Sequence, residues 1–222
     1  MNTIIMVCGP AATGKSTLVN GLISYYDGYY YRPCNSFFDL ADEKGLLKEQ
    51  AFELIDDIDA GIRFEKVCAN NKTVVFDQHA AIQYKKDSTL ACDIFNYENM
   101  DEPYQASLTS DFFKPILSKE YVIISILLFA NSNILFNRAL NRNKITGQFI
   151  RNPVIGNVNT ELENEIYFYN QMVNNFNFKS IEVDTSSLSE SEVLEIVIQR
   201  INEFRTKEGS SSEWTRKLQS RK

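Results

Sequence analysis

The 222 residues contain a single histidine, four cysteines and five prolines, and the acids outnumber the bases by 29 to 23. Each shortage excludes something. One imidazole cannot form a His cluster, and Cys8, Cys34, Cys68 and Cys92 include no C-x-x-C pair, so no structural zinc is expected. No signal-peptide pattern opens the chain, and the cysteines read as reduced thiols of a cytoplasmic protein. The longest apolar run, Tyr121 to Ala130, is about ten residues and too short to cross a bilayer as a helix; it reads as a buried strand. A net charge of −6 gives no long-range attraction to a polyanion. Neither a nucleic acid nor a membrane is expected as partner, and a small molecule or nucleotide suits the balance better.

What is present is the composition of an ordinary globule, 44% hydrophobic and 23% charged, long enough for one α/β core and short for two. The informative segment is Gly9-Pro10-Ala11-Ala12-Thr13-Gly14-Lys15-Ser16, which matches G-x-x-x-x-G-K-[ST]. A β-branched run, Asn2 to Cys8, precedes it, and Thr17 to Ile23 follows with helical spacing. Strand, glycine loop and helix thus come in the order that lets successive backbone N–H groups converge on a phosphate chain at a helix N-terminus. Gly9, Ala11, Ala12, Thr13, Gly14, Lys15, Ser16 and Thr17 are the candidate nucleotide-binding residues. Lys15 is placed to reach the β- and γ-phosphates, and the Ser16 hydroxyl to ligate Mg²⁺.

Strands and helices alternate along the rest of the chain, which predicts a mostly parallel sheet covered on both faces. The periodicities predict strands over Thr3–Cys8, near Tyr29–Arg32, over Thr73–Asp77, Tyr121–Phe129 and Phe178–Asp184. Helices are expected over Gly14–Tyr26, Leu46–Asn70, Thr89–Tyr97, Tyr104–Leu117, Ser132–Asn143, Thr160–Asn177 and Ser189–Arg205. In the last of these Ser189 is the N-cap and Glu192 completes a capping box. Residues 1–206 read as one domain with a mobile loop or lid over 144–159, rich in Asn and Gly, and a polar, disordered tail over 207–222.

A short chain with an N-terminal phosphate loop, a strand ending in Asp77, a helix with spaced arginines and a loop beyond resembles the small P-loop kinases. The segment from Gln50 through Asp77 is similar to that of thymidylate and deoxynucleoside kinases, although those families place an Arg after the strand-end acid where this chain has Gln78. The resemblance implies a P-loop NTPase three-layer sandwich, a five-stranded mostly parallel sheet with helices on both faces. It implies transfer of the γ-phosphate of ATP, with Mg²⁺, to a small acceptor such as a nucleoside or nucleoside monophosphate; a homodimer stays open.

Phosphoryl transfer needs alignment and charge cancellation more than covalent help. Lys15, Asp77, Arg138 and Arg142 are the catalytic candidates. Asp77 ends a buried strand on the carboxyl edge of the sheet, where it can hold the metal with Ser16 or accept a proton. Arg138 and Arg142, four apart, share a helix face, and the resemblance implies that such arginines close over the phosphates. Arg32, Asp39 and Arg151 are candidate acceptor contacts, Asp39 being the alternative base to Asp77. Arg63 reads most simply as an intrahelical partner of Asp59, Phe37 and Phe38 as core, and His79 as structural. The resemblance implies that Asp184-Thr185-Ser186 passes beside the donor base; read from the residues alone, it is equally a strand-to-helix turn with Ser and Thr capping. Two other readings stay open, a nucleotide-hydrolysing or nucleotide-sensing module acting through a protein partner and, disfavoured by the acidity, a polynucleotide 5′-hydroxyl kinase.

Overall fold

The structure is a computed structural model describing residues 2–82, 105–146 and 155–219. In chain order the elements are β1 (Asn2–Cys8), α1 (Lys15–Tyr26), β2 (Tyr29–Tyr30), α2 (Pro33–Glu43), a 3₁₀ turn (Lys48–Gln50), α3 (Ala51–Leu54), α4 (Asp57–Asn70), β3 (Thr73–Asp77), β4 (Ala81–Ile82), β5 (Gln105–Ala106), α5 (Ser110–Leu117), β6 (Tyr121–Phe129), α6 (Ser132–Thr146), α7 (Ile155–Phe176), β7 (Lys179–Asp184) and α8 (Glu190–Gln219). Five strands form one sheet in the order β2-β3-β1-β6-β7, every pair parallel, and β4 and β5 form a separate antiparallel pair.

Alternation along the strands divides the interior in two. Ile4, Met6, Cys8, Val74, Phe76 and Leu127 face one side, where α2, α4, α5 and α7 cover them with Phe37, Phe64, Phe112, Phe113 and Tyr169. Ile5, Val7, Val75, Ile124, Ile126 and Leu128 face the other side, closed by Leu18, Val19 and Leu22 of α1 and Val193, Val197 and Ile201 of α8. With both faces covered, the central strands read as near-continuous apolar runs, as a parallel sheet requires. β1 lies between β3 and β6 with Val7 opposite both Asp77 and Ile126, so the loop after β1 emerges at the middle of the carboxyl edge.

Several expectations need correction. The helix expected over Leu46–Asn70 is broken: Ile55 is extended (φ −97°, ψ 126°), and Asp56 starts α4 afresh by accepting the Ile58 N–H at 2.7 Å. A short carboxylate competes with the helix backbone for its own amides, so the apolar stripe continues where the helix does not. The helix expected from Tyr104 starts at Ser110, because Thr109 caps it by accepting the Phe112 N–H, and β5 precedes it. The second strand is only two residues long, and Pro33, with φ already suited to a first helical position, opens α2. Of the loop expected over 144–159, α6 takes the start and α7 takes everything from Ile155. Residues 147–154, and the helix expected over 89–97, lie outside the described residues.

The backbone of α8 runs to Gln219. At the other end of α8 the capping box is present: the Glu192 N–H donates to Ser189 Oγ at 3.3 Å and the Ser189 N–H to Glu192 Oε2 at 2.8 Å. Phe37 and Phe38 pack on Phe52 in the core. Cys8 and Cys68 are buried free thiols, and the Cys34 thiol donates to Asn35 Oδ1 at 3.8 Å. Among the described residues no helix is long and apolar enough to cross a membrane.

Helix α4 crosses α5 closely, and a Cβ built on Gly61 would sit 2.3 Å from the Phe112 carbonyl oxygen. Gly61→Ala gains about 1 kcal/mol of helix propensity and loses about 3 kcal/mol to the backbone shift that the overlap forces. The expected net effect is a melting temperature lower by about 4–8 °C. A calorimetric scan that found the variant as stable as the wild type would contradict this packing.

Candidate active site

Cys8 ends β1 and the chain turns at once. Gly9 has φ +142°, and a Cβ there would stand 2.2 Å from the Leu128 carbonyl oxygen of β6, so only glycine lets the loop leave the sheet at this point. The loop then closes on itself through the buried Thr13, whose hydroxyl donates to the Pro10 carbonyl at 2.9 Å. Ala12 (φ 62°) and Gly14 (φ 92°) take left-handed backbone conformations, and Gly14 caps α1 with no side chain bonded to the first turn. Backbone amides are therefore presented at the N-terminus of α1, where the helix dipole favours an anion.

Lys15 folds back over this loop, donating to the Gly9 carbonyl at 2.6 Å and the Pro10 carbonyl at 2.9 Å. Desolvation holds its pKa below the usual lysine range, against the pull of the Glu165, Glu161 and Asp77 carboxylates. Ser16, one residue on, donates its hydroxyl to Asp77 Oδ2 at 3.2 Å. Expected at a strand end, Asp77 is 7% exposed and closes β3 beside the loop. Arg32 clamps both its oxygens, Nε to Oδ1 at 2.9 Å and Nη2 to Oδ1 and Oδ2 at 2.8 and 2.9 Å, and the Tyr30 hydroxyl donates to Oδ1 at 2.8 Å. Burial pushes this carboxyl up, but the hydrogen bonds from Tyr30 and Arg32 and the guanidinium charge outweigh it and hold its pKa below the ordinary value.

Two carboxylates that the sequence reading did not single out complete the surroundings. Glu161 of α7 accepts the Ala11 N–H at 2.7 Å. Glu165, one turn on and fully buried, accepts the Ala80 N–H at 2.6 Å and bonds the His79 ring. A signal for them was present: Glu161, Glu165 and Tyr169 recur every four residues and run into the apolar positions Met172, Val173 and Phe176. Acids that extend an apolar stripe are buried, and buried acids need donors. His79 is thereby a partner of Glu165.

The other candidates are distributed around this centre. Arg138 lies on α6, its Nη1 donating to Thr185 Oγ1 at 2.9 Å and its Nη2 to the Thr185 carbonyl at 2.6 Å. Ala12, Thr13, Gly14, Thr17, Arg138, Thr185 and Ser189 line a cleft of about 380 Å³, which joins the loop after β7 to the phosphate loop. Arg138 thus lines the same cleft as the phosphate loop, held there by two acceptors of Thr185. Arg142 is exposed one turn further along the same helix. Asp39 accepts the Tyr31 hydroxyl at 2.6 Å and pairs with Arg63 at 3.9 Å, so it belongs to a network on α2 and α4. The expected Asp59–Arg63 pair is replaced by Arg63–Glu43 at 2.9 Å and Lys44–Asp59 at 3.8 Å, since neighbouring α2 brings closer partners. Arg151 lies outside the described residues.

No protein-family model matches this sequence, and no curated protein matches it. Solved structures do match. A deoxyadenosine kinase from M. mycoides with bound dATP aligns with a TM-score of 0.50 at 17% identity, covering 90% of this chain and 100% of that one. The YorR protein of Bacillus subtilis, in complex with phosphorylated GDP, aligns with a TM-score of 0.51 at 15% identity, covering 90% of this chain and 96% of that one. This is the fold of the small P-loop kinases. In this P-loop kinase-like fold the expected three-layer α/β sandwich is present, with all five strands of the main sheet parallel.

The Asp77 clamp makes a prediction about acid stability. A carboxyl whose folded pKa lies below its unfolded value of about 3.9 stabilises the fold above that value and loses the contribution as pH falls through the folded pKa. Urea unfolding of wild type and Asp77→Asn is expected to differ by about 1–3 kcal/mol from pH 7 to pH 5. The gap should then close below about pH 4. A gap that is unchanged between pH 7 and pH 3 would contradict the clamp.

Proposed function

We propose that this protein is an ATP-dependent phosphotransferase that moves the γ-phosphate to a small acceptor, a nucleoside or nucleoside monophosphate. The observation that carries the reading is the adjacency of the amide loop, Lys15 and the Ser16–Asp77 pair at one point of the sheet edge. The amides of Ala11 to Ser16 hold the phosphate chain, and Lys15, released from the Gly9 and Pro10 carbonyls, neutralises the β- and γ-phosphates. The cleft beside Arg138 and Thr185 takes the donor base, and Arg138 fixes the donor there.

The residues present suit Mg²⁺. Ser16 Oγ and Asp77 Oδ2 are hard oxygens 3.2 Å apart, which together with phosphate and water oxygens can fill an octahedral shell. When bound, the ion supplies charge neutralisation across the transferring phosphates. The lowered pKa of Asp77 suits a group that stays ionised beside a cation, and that favours a metal-side role over the role of proton acceptor. Arg32 and Tyr30 hold Asp77 from the side of α2, where the acceptor is received, while Asp39 orients Tyr31 and Arg63.

Purified protein with Mg-ATP and a panel of nucleosides and monophosphates is expected to release ADP only when an acceptor is present. Lys15→Ala should lower that rate by at least about 10²-fold with the fold retained by circular dichroism. ATP hydrolysis that no small acceptor stimulates, or a Lys15→Ala variant as active as the wild type, would overturn the proposal.

A further inference from the structure

The loop amide and lysine proposed to receive phosphate have partners within the chain itself. Glu161 Oε1 sits 2.7 Å from the Ala11 amide, on the loop whose amides hold phosphate in the reading above. Lys15 is spent on two loop carbonyls, and the Glu161 and Glu165 carboxylates both act on its charge. Glu161 is 9% exposed and stands in the second turn of α7, so it is anchored by a helix that packs across one face of the sheet. An N–H donor that would receive a phosphate oxygen thus faces a carboxylate oxygen, and the nearby ammonium group is held by two carbonyls.

We infer that Glu161 is an internal competitor for the phosphate chain, which must expel it from the Ala11 amide in order to bind. The inference rests on the phosphate loop being a nucleotide site. A carboxylate and a phosphate are both anionic oxygen acceptors, and one N–H cannot serve both at full strength. The Ala11 amide, beside a partly buried lysine, is satisfied by the chain's own glutamate. Nucleotide entry exchanges one anion for another. The affinity measured for the nucleotide is then the intrinsic affinity reduced by the fraction of molecules in which Glu161 has left the loop. Because Glu161 belongs to α7, the exchange also releases the first turns of that helix from the phosphate loop, which links donor binding to a helix on the opposite sheet face from α1.

The test is calorimetric titration of the full chain with Mg-ADP. Glu161→Ala is expected to bind about tenfold more tightly than the wild type, the size of one hydrogen bond to a charged group. Glu161→Gln keeps the volume and an acceptor oxygen but loses the charge, and should bind more tightly by a smaller factor. Glu163→Ala removes the same charge from an exposed position of α7 and should change the affinity by less than about twofold, as expected for a screened surface charge. In amide hydrogen exchange, Mg-ADP should speed exchange in the first turns of α7 in the wild type and leave Glu161→Ala unchanged there. Wild type that binds Mg-ADP while both Glu161 variants bind equally or more weakly overturns this inference alone. If neither the wild type nor the variants bind, the nucleotide-site reading fails and the inference falls with it.

Discussion

Everything at the sheet edge depends on how closely the loop after β1 passes β6. Gly9 lies against the Leu128 carbonyl with a backbone angle closed to other residues, and that contact aims the following amides back over the strand ends. A side chain at Gly9 would lift the loop, and Lys15 and Ser16 would leave Asp77. The central place of β1, paired with β3 on one side and β6 on the other, makes the contact possible: β6 supplies the carbonyl that Gly9 abuts, and β3 supplies Asp77.

Around that loop, charge is balanced internally. Arg32 neutralises Asp77, Lys15 covers loop carbonyls, and Glu161 covers a loop amide. Of these, Glu161 stands where the proposed phosphate chain would bring an anion of the same sign, while Lys15 and Arg32 each neutralise acceptors of the chain itself. A phosphate-binding site left bare would expose aligned amides and a desolvated lysine without partners, which is costly in a partly buried edge. Self-complementation satisfies the polar groups of this edge from within the chain. It also means that binding is an exchange of partners, with affinity set by the difference between two sets of contacts.

The parts of this picture that were legible in the sequence are those set by local pattern. Thr3 to Cys8 and Tyr121 to Phe129 announced buried parallel strands by composition, Gly9 to Ser16 announced the loop by spacing, and Ser189 with Glu192 announced a helix start by its cap. Long-range partners were not legible. Apolar periodicity continued through Ile55 and Asp56 although the backbone did not, because periodicity reports which face is buried and says nothing of which amide a carboxylate captures. Arg63 looked toward Asp59 on its own helix, yet α2 offered Glu43 and Asp39. The contact of Arg138 Nη1 and Nη2 with Thr185, on a loop 47 residues away, had no signal in the local pattern. Glu161 and Glu165 were not singled out in the sequence, although the stripe they extend runs on to Tyr169 and Phe176.

The claim that the Gly9–Ser16 amides grip a phosphate chain is tested most directly by residue-resolved NMR. With the backbone assigned, addition of Mg-ATP to the wild type is expected to shift the amide resonances of Ala11 to Ser16 saturably and together, as N–H groups take up anionic oxygen. Saturable shifts confined to other parts of the molecule, with Ala11 to Ser16 unmoved, would contradict the account.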